Sequence, residues 1–227
     1  MNTKSIVYCA GPQYSPEESN GMLSIASLLE KSGFNTYLSC RDGLEYMIPK
    51  LKDNPDVTPS ELYDLLHMLN KIVFALEAFQ VIRRCDSLFL NMNGRVPDEG
   101  SVFKASLAFS AGKPVTLYKN DHRSVFNGYD NSMVTGLAAG LPVVKRLKRI
   151  PQGLRNAIRK CKTSDGPFYR GDKIPPFVRR AVDFGEEVWC LFNELGLSNT
   201  NTKYFYPQLL GLIKRCETAE GLRHLQL

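Results

Sequence analysis

The 227-residue sequence has no long apolar run, no closely paired cysteines and only three histidines, and each shortage removes a class of function. No uninterrupted apolar stretch reaches the roughly 18 residues that suggest a membrane span, so no membrane partner is expected. The apolar stretch Ser5 to Ala10 is cut short by Gly11 and Pro12, too early for a signal peptide, and a cytoplasmic location is expected. The cysteines at 9, 40, 85, 161, 190 and 216 form no CxxC pair, and His67, His122 and His224 stand far apart. Zinc ligands usually come in close pairs, so no metal site and no cofactor are expected. The thiols read as buried or idle groups in a reducing compartment. Internal repeats and low-complexity tracts are lacking as well.

What is present fits one domain with a modest appendage, and an apolar fraction of 43% can fill its core. The net charge of +6 is unevenly placed. Twelve Lys or Arg against two Asp lie between Lys145 and Arg180, which leaves the rest of the chain net negative. Such runs are usually solvated faces. The density nevertheless suits an anionic partner, nucleic acid or an acidic protein bound through 145–180. Only Phe168, Tyr169 and Phe177 interleave with these charges, which favours backbone contacts over base stacking.

Along the chain, Ser5–Ala10 reads as a buried strand. A helix opens near Pro16 and ends before Gly33, and a second strand spans Phe34–Ser39. A polar loop then runs to Thr58. The box Thr58-Pro59-Ser60-Glu61 starts a helix extending to about Arg84. Strands at Ser87–Met92 and Pro114–Tyr118 flank a helix from Ser101 to Ala111, and further helices are expected at 154–161, 176–195 and 206–216. This alternation predicts an α/β fold with a parallel sheet, flavodoxin-like or Rossmann-like in three layers, with a helical C-terminal extension. The boundary is placed at 146, with 1–146 the α/β domain and 147–227 the basic extension. Ligands in such sheets bind beyond the strands' carboxyl ends, where Gly11–Glu17, Asn91–Ser101 and Lys119–Phe126 converge.

Those segments carry a pattern. Tyr8 to Pro12, with Tyr14, Ser15 and Glu17, is similar to the opening YxAGPxFSxxE of nucleoside 2-deoxyribosyltransferases. Cys85 to Gly94 resembles that family's strand into its ligand loop. The stretch DEGSVFKASLAFSAGKP, Asp98 to Pro114, resembles its signature DxGTAxExGxAxxxGKP. Tyr118, Asp121 and Arg123 match YxxDxR, and Gly140-Leu141-Pro142 echoes GLPxN. The resemblance runs in order from about 5 to 144.

It implies cleavage of a 2-deoxynucleoside N-glycosidic bond by a carboxylate nucleophile, through a glycosyl-enzyme intermediate resolved by a second base or by water. The ligand would be a nucleoside or nucleotide, held by Gly11, Pro12, Gln13, Tyr14, Glu77, Asn91, Gly100 and Ser101. Asp98 would hold the sugar hydroxyls, and a homo-oligomer completing its own sites is implied. At the nucleophile position stands Lys104, two residues before Ser106 in place of a glycine, and Val144 replaces the asparagine after GLP. An ammonium has no lone pair to attack with and repels an oxocarbenium cation, so the transferase chemistry is expected to be weak, altered or lost, as in a pseudoenzyme.

Three readings of Lys104 stay open: a surface lysine on a decayed site, a partner for an anionic ligand group, or a desolvated amine acting as base or Schiff-base former. The apolar face Val102, Ala105 and Phe109 is expected to pack on the sheet, turning Lys104 away. Glu99 and Glu17 are the candidates for a displaced catalytic carboxylate.

Overall fold

The computed structural model describes residues 4–52, 57–94, 96–123, 130–163, 174–197 and 205–218. In chain order the elements are β1 (Ile6–Ala10), α1 (Pro16–Lys31), β2 (Asn35–Tyr37), α2 (Ser39–Asp42), α3 (Met47–Lys52) and α4 (Pro59–Phe79). A π-helical turn (Gln80–Arg84) leads to β3 (Ser87–Asn91), α5 (Glu99–Ser110), β4 (Val115–Tyr118), α6 (Ser132–Thr135) and α7 (Ile150–Thr163). Helices α8 (Pro176–Glu194) and α9 (Phe205–Thr218) complete the described order. The chain divides into two compact units, each built from two segments: 1–38 with 81–172, and 39–80 with 173–227.

The first unit holds a parallel sheet in the order β2-β1-β3-β4. Strands β3 and β4 are buried along their whole length, as a strand covered on both faces must be. Helix α5 packs on β1, β3 and β4, whereas α1 packs on β2, α7 packs on β4, and these two helices touch each other. Right-handed crossovers explain the arrangement: the path steps outward to β2 on one side of β1 and to β3 and β4 on the other, so the connecting helices fall on opposite faces. Asp86, at the entry to β3, accepts hydrogen bonds from the Ile6 amide at 2.7 Å and the Ser5 hydroxyl at 3.1 Å, pinning β3 beside β1.

Local chemistry sets the helix starts. The Ser15 hydroxyl accepts from the Glu18 amide, and the Glu18 carboxylate accepts from the Ser15 amide, a capping box ahead of Pro16. Gly33, at φ 93°, takes the left-handed conformation that ends α1. In the second unit α4 opens on the expected box, Thr58 with Glu61. The polar loop expected after β2 contains α2 and α3, anchored by buried Leu44, Met47 and Leu51. The helix expected to reach Arg84 is α-helical only to Phe79 and then widens into the π-helical turn.

Helix α8 packs along α4, and Gly185 is what lets them meet: a Cβ there would lie 2.0 Å from the Ala75 carbonyl oxygen. The stretch Pro59–Arg84 is long and apolar enough, by length and composition, to cross a membrane, and 56% of its 18-residue apolar segment is buried within the protein. The link 164–173, with Phe168 and Tyr169, and the loop residues 124–126 expected at the sheet edge lie outside the described residues.

Candidate functional site

The strand order reverses between β1 and β3, and the loops after these strands lie at the carboxyl edge of the sheet, where folds of this kind hold ligands in a cleft. Gly11, directly after β1, is buried against both neighbours: a Cβ there would stand 2.6 Å from Met22 Sδ and 2.8 Å from Asn91 Cβ. Only a residue without a side chain lets the first loop turn at this point. Asn91, 7% exposed at the end of β3, accepts from the Asn93 amide at 3.1 Å and donates to Met22 Sδ at 3.6 Å.

Asp98 is the N-cap of α5, and its Oδ2 accepts from the Ser101 amide at 2.6 Å. Its other oxygen accepts from the Tyr14 hydroxyl, so one carboxylate joins the two loops of the cleft. Burial pushes the Asp98 carboxyl up, but the bonds from Ser101 and Tyr14 and the nearby positive charge of Lys104 outweigh it and hold the group below its ordinary value. At neutral pH Asp98 is therefore an anion with acceptor capacity to spare. Tyr14 remains 78% exposed, with its ring open to solvent above this bond.

Lys104, one and a half turns further along α5, is half-buried, with Nζ 5.6 Å from the centroid of the fully buried Tyr8 ring of β1. That contact is of cation–π type and draws the ammonium toward the sheet. The expected orientation of α5 is thus corrected. Phe109 is 47% exposed and Phe103 52%, while the buried stripe is Ser101, Ala105 and Ala108. Small residues let α5 lie close to the sheet, and the large apolar side chains do not mark its inner face. Ser106 donates back to the Val102 carbonyl at 2.9 Å.

Further ties hold the loops. The Gly94 amide donates to Asp121 at 3.0 Å and the Asn120 amide to Asn93 Oδ1 at 3.0 Å, linking the loop after β3 to the one after β4. Hydrogen bonds from Arg123 are the main reason that the Asp121 carboxyl lies far below its usual range. Buried Lys119 pairs with Asp130. In the first loop the Tyr14 and Ser15 amides both donate to Glu18, at 2.9 and 3.0 Å. Counted from Tyr8, the opening pattern ends on Glu18, and Glu18 rather than Glu17 is the glutamate tied to the cleft loop. The spacing Ser15-x-x-Glu18 carried that signal; Tyr8, Asn93 and Asp121 fall within the motif matches, but nothing local indicated these particular contacts.

The structure thus gathers Gly11, Pro12, Gln13, Tyr14, Asn91, Asp98, Gly100, Ser101 and Lys104 on the loops and helix start at this edge. Gln13 Nε2 donates to the Gly11 carbonyl at 3.4 Å, and its buried Oε1 has no partner among the described residues. A Cβ at Gly100 would stand 3.7 Å from Asp98 Oδ2, an ordinary van der Waals contact. Glu17 and Glu99 are exposed in the first turns of α1 and α5, where a helix dipole favours acids regardless of function. Glu77 is buried in α4 and belongs to the second unit. Val144 forms a bridge with Tyr118, its amide donating to the Leu117 carbonyl at 2.8 Å and its carbonyl accepting from Lys119 at 2.9 Å. Among the described residues no group of three or more His, Cys, Asp or Glu could hold a metal ion.

Among solved structures the chain is similar to a conserved protein from Enterococcus faecalis V583, at 17% identity over 68% of this chain and 99% of that one, with a TM-score of 0.43. No curated protein matches significantly. The family model for nucleoside 2-deoxyribosyltransferase matches residues 7–143, more than half of the chain and the span that carries β1 to β4 and the cleft loops. The chain belongs to the nucleoside 2-deoxyribosyltransferase family.

Proposed function

We propose that the chain binds a nucleoside or nucleotide in the cleft after β1 and β3, and that glycosyl transfer by the family's route is weak, altered or lost. The observation that carries this reading is the placement of Lys104 over the Tyr8 ring beside ionised Asp98, where the resemblance puts the nucleophile. A retaining mechanism needs an anionic carboxylate facing the anomeric carbon as positive charge develops there. An ammonium at that point opposes the charge and supplies no electron pair, but it suits a phosphate or other anionic group of a bound ligand. Asp98 has acceptor capacity for sugar hydroxyls, Tyr14 offers a ring for stacking, and Gln13 Oε1 offers a buried acceptor. Exposed Glu17 and Glu99 supply no observation favouring a displaced nucleophile. The homo-oligomer stays part of the proposal, as does the cytoplasmic location.

Calorimetric titration with 2′-deoxyadenosine and its 5′-monophosphate tests the binding. Asp98→Asn keeps an N-cap while removing the charge, and it should weaken both ligands about 10-fold or more, the scale of a lost charged hydrogen bond. The monophosphate should bind more tightly than the nucleoside, and Lys104→Met should erase the difference. Equal affinity of wild type and Asp98→Asn would remove Asp98 from the site.

A further inference from the structure

The loop echoing GLPxN has a consequence on the far side of β4. Val144 pairs with β4 only near its carboxyl end, after which the chain turns through the 3₁₀ segment Leu147–Arg149 into α7. No described strand lies along the outer edge of Val115 and Thr116. Helix α7 approaches there at Gly153, where a Cβ would fall 2.6 Å from Val144 Cγ2. Between β4, the segment at 138–146 and α7 remains a cavity of about 420 Å³, entirely within the first unit. That volume falls within the size range of pockets for small organic molecules.

Its lining divides by chemistry. Val115, Leu117 and Val144 make an apolar wall. Thr116, 5% exposed, also lines it, with its methyl Cγ2 toward Gly153. Lys145, Arg146 and Arg149 line the same cavity, the only part of the basic run to do so among the described residues. No carboxylate belongs to the described lining.

We propose that this cavity is a second ligand site, distinct from the β1–β3 cleft, for a small organic anion whose apolar body lies against β4 and whose phosphate or carboxylate head meets Lys145, Arg146 and Arg149. The basic residues at 145–149 then serve a defined pocket and are more than a solvated face.

The test is calorimetric titration of the full chain at low salt with phenyl phosphate and benzoate, which distinguish the two heads. Benzyl alcohol and inorganic phosphate serve as the headless and bodiless probes. At least one of the two aromatic anions should bind saturably, about 10-fold more tightly than either control, since body and head both contribute. The Arg146→Ala/Arg149→Ala pair should weaken it about 10-fold or more. Asp98→Asn should leave this binding unchanged, so failure here and failure of the cleft reading are separable. Circular dichroism and thermal melting of each variant confirm that it is folded. Inorganic phosphate binding as tightly as the aromatic anions would overturn the proposal, as would no saturable binding or affinities indifferent to the arginine pair. If light scattering finds that the arginine pair turns an oligomer into a monomer, a second copy is the occupant and the proposal falls. It falls equally if the pair abolishes retention of an oligonucleotide while phenyl phosphate and benzoate do not bind.

Discussion

Two residues set the geometry of the cleft, Gly11 by lacking a side chain and Asp98 by using both carboxylate oxygens. Gly11→Ala should destabilise the protein by about 1–3 kcal/mol in urea unfolding, because its Cβ would overlap Met22 and Asn91 in a packed region. A melt identical to wild type would mean that the loop after β1 does not approach β3 as described. For Asp98 the sign follows from its lowered carboxyl value. A carboxylate held low in the folded state contributes stability that is present above its unfolded value, near 3.9, and lost as pH falls through the folded one. Tyr14→Phe removes a bond to the charged form, so the Asp98 midpoint should rise. The stability difference from wild type should be full at neutral pH and shrink below about pH 4. Carbon-detected NMR titration of Asp98 checks this, and an unchanged midpoint in Tyr14→Phe would show that the hydroxyl does not bond the carboxylate in solution.

At the scale of elements, start signals are readable wherever the chemistry is local. Thr58 with Glu61, Pro16 and Gly33 bound their helices as the sequence suggests, and the four strands follow from apolar runs with turn residues between them. What cannot be read depends on contacts between distant segments. The largest apolar residues of α5 suggest the wrong inner face, because its neighbours β1 and β3 require small ones. Ala105 and Ala108 are therefore buried, and Phe103 and Phe109 are exposed. The turn of Lys104 toward Tyr8, 96 positions earlier in the chain, follows from that same packing. Helices α4 and α8 carry a similar lesson, because nothing local distinguishes Gly185 from a tolerated helix glycine. Gly185→Ala would press a methyl group against the Ala75 backbone, which no rotamer change relieves, and should cost about 3 kcal/mol. An unshifted denaturation midpoint in this variant would contradict the α4–α8 packing.

For the whole molecule, the order of motifs along the chain makes the fold legible before any contact is known, since five short patterns in register leave few alternatives to a β2-β1-β3-β4 sheet. The boundary at residue 146 is a proposal about where the family-like part ends along the chain, whereas the compact units each combine two separate segments. Net charge alone cannot separate a nucleic-acid face from a pocket rim, because that distinction rests on α7 lying against β4. The site's character likewise rests on one substitution set in a retained frame. Asp98 and Tyr14 tie the loops after β1 and β3 together beside Gly11, and in the proposed reading Lys104 stands where the family resemblance places the nucleophile. The most direct test is chromatographic detection of free nucleobase after incubation of 2′-deoxynucleosides and their 5′-monophosphates with wild type and with Lys104→Glu. The account predicts release near the uncatalysed background for wild type and a measurable gain, at least about 10-fold, for Lys104→Glu. Efficient release by wild type that Glu17→Gln or Glu99→Gln abolishes would contradict it.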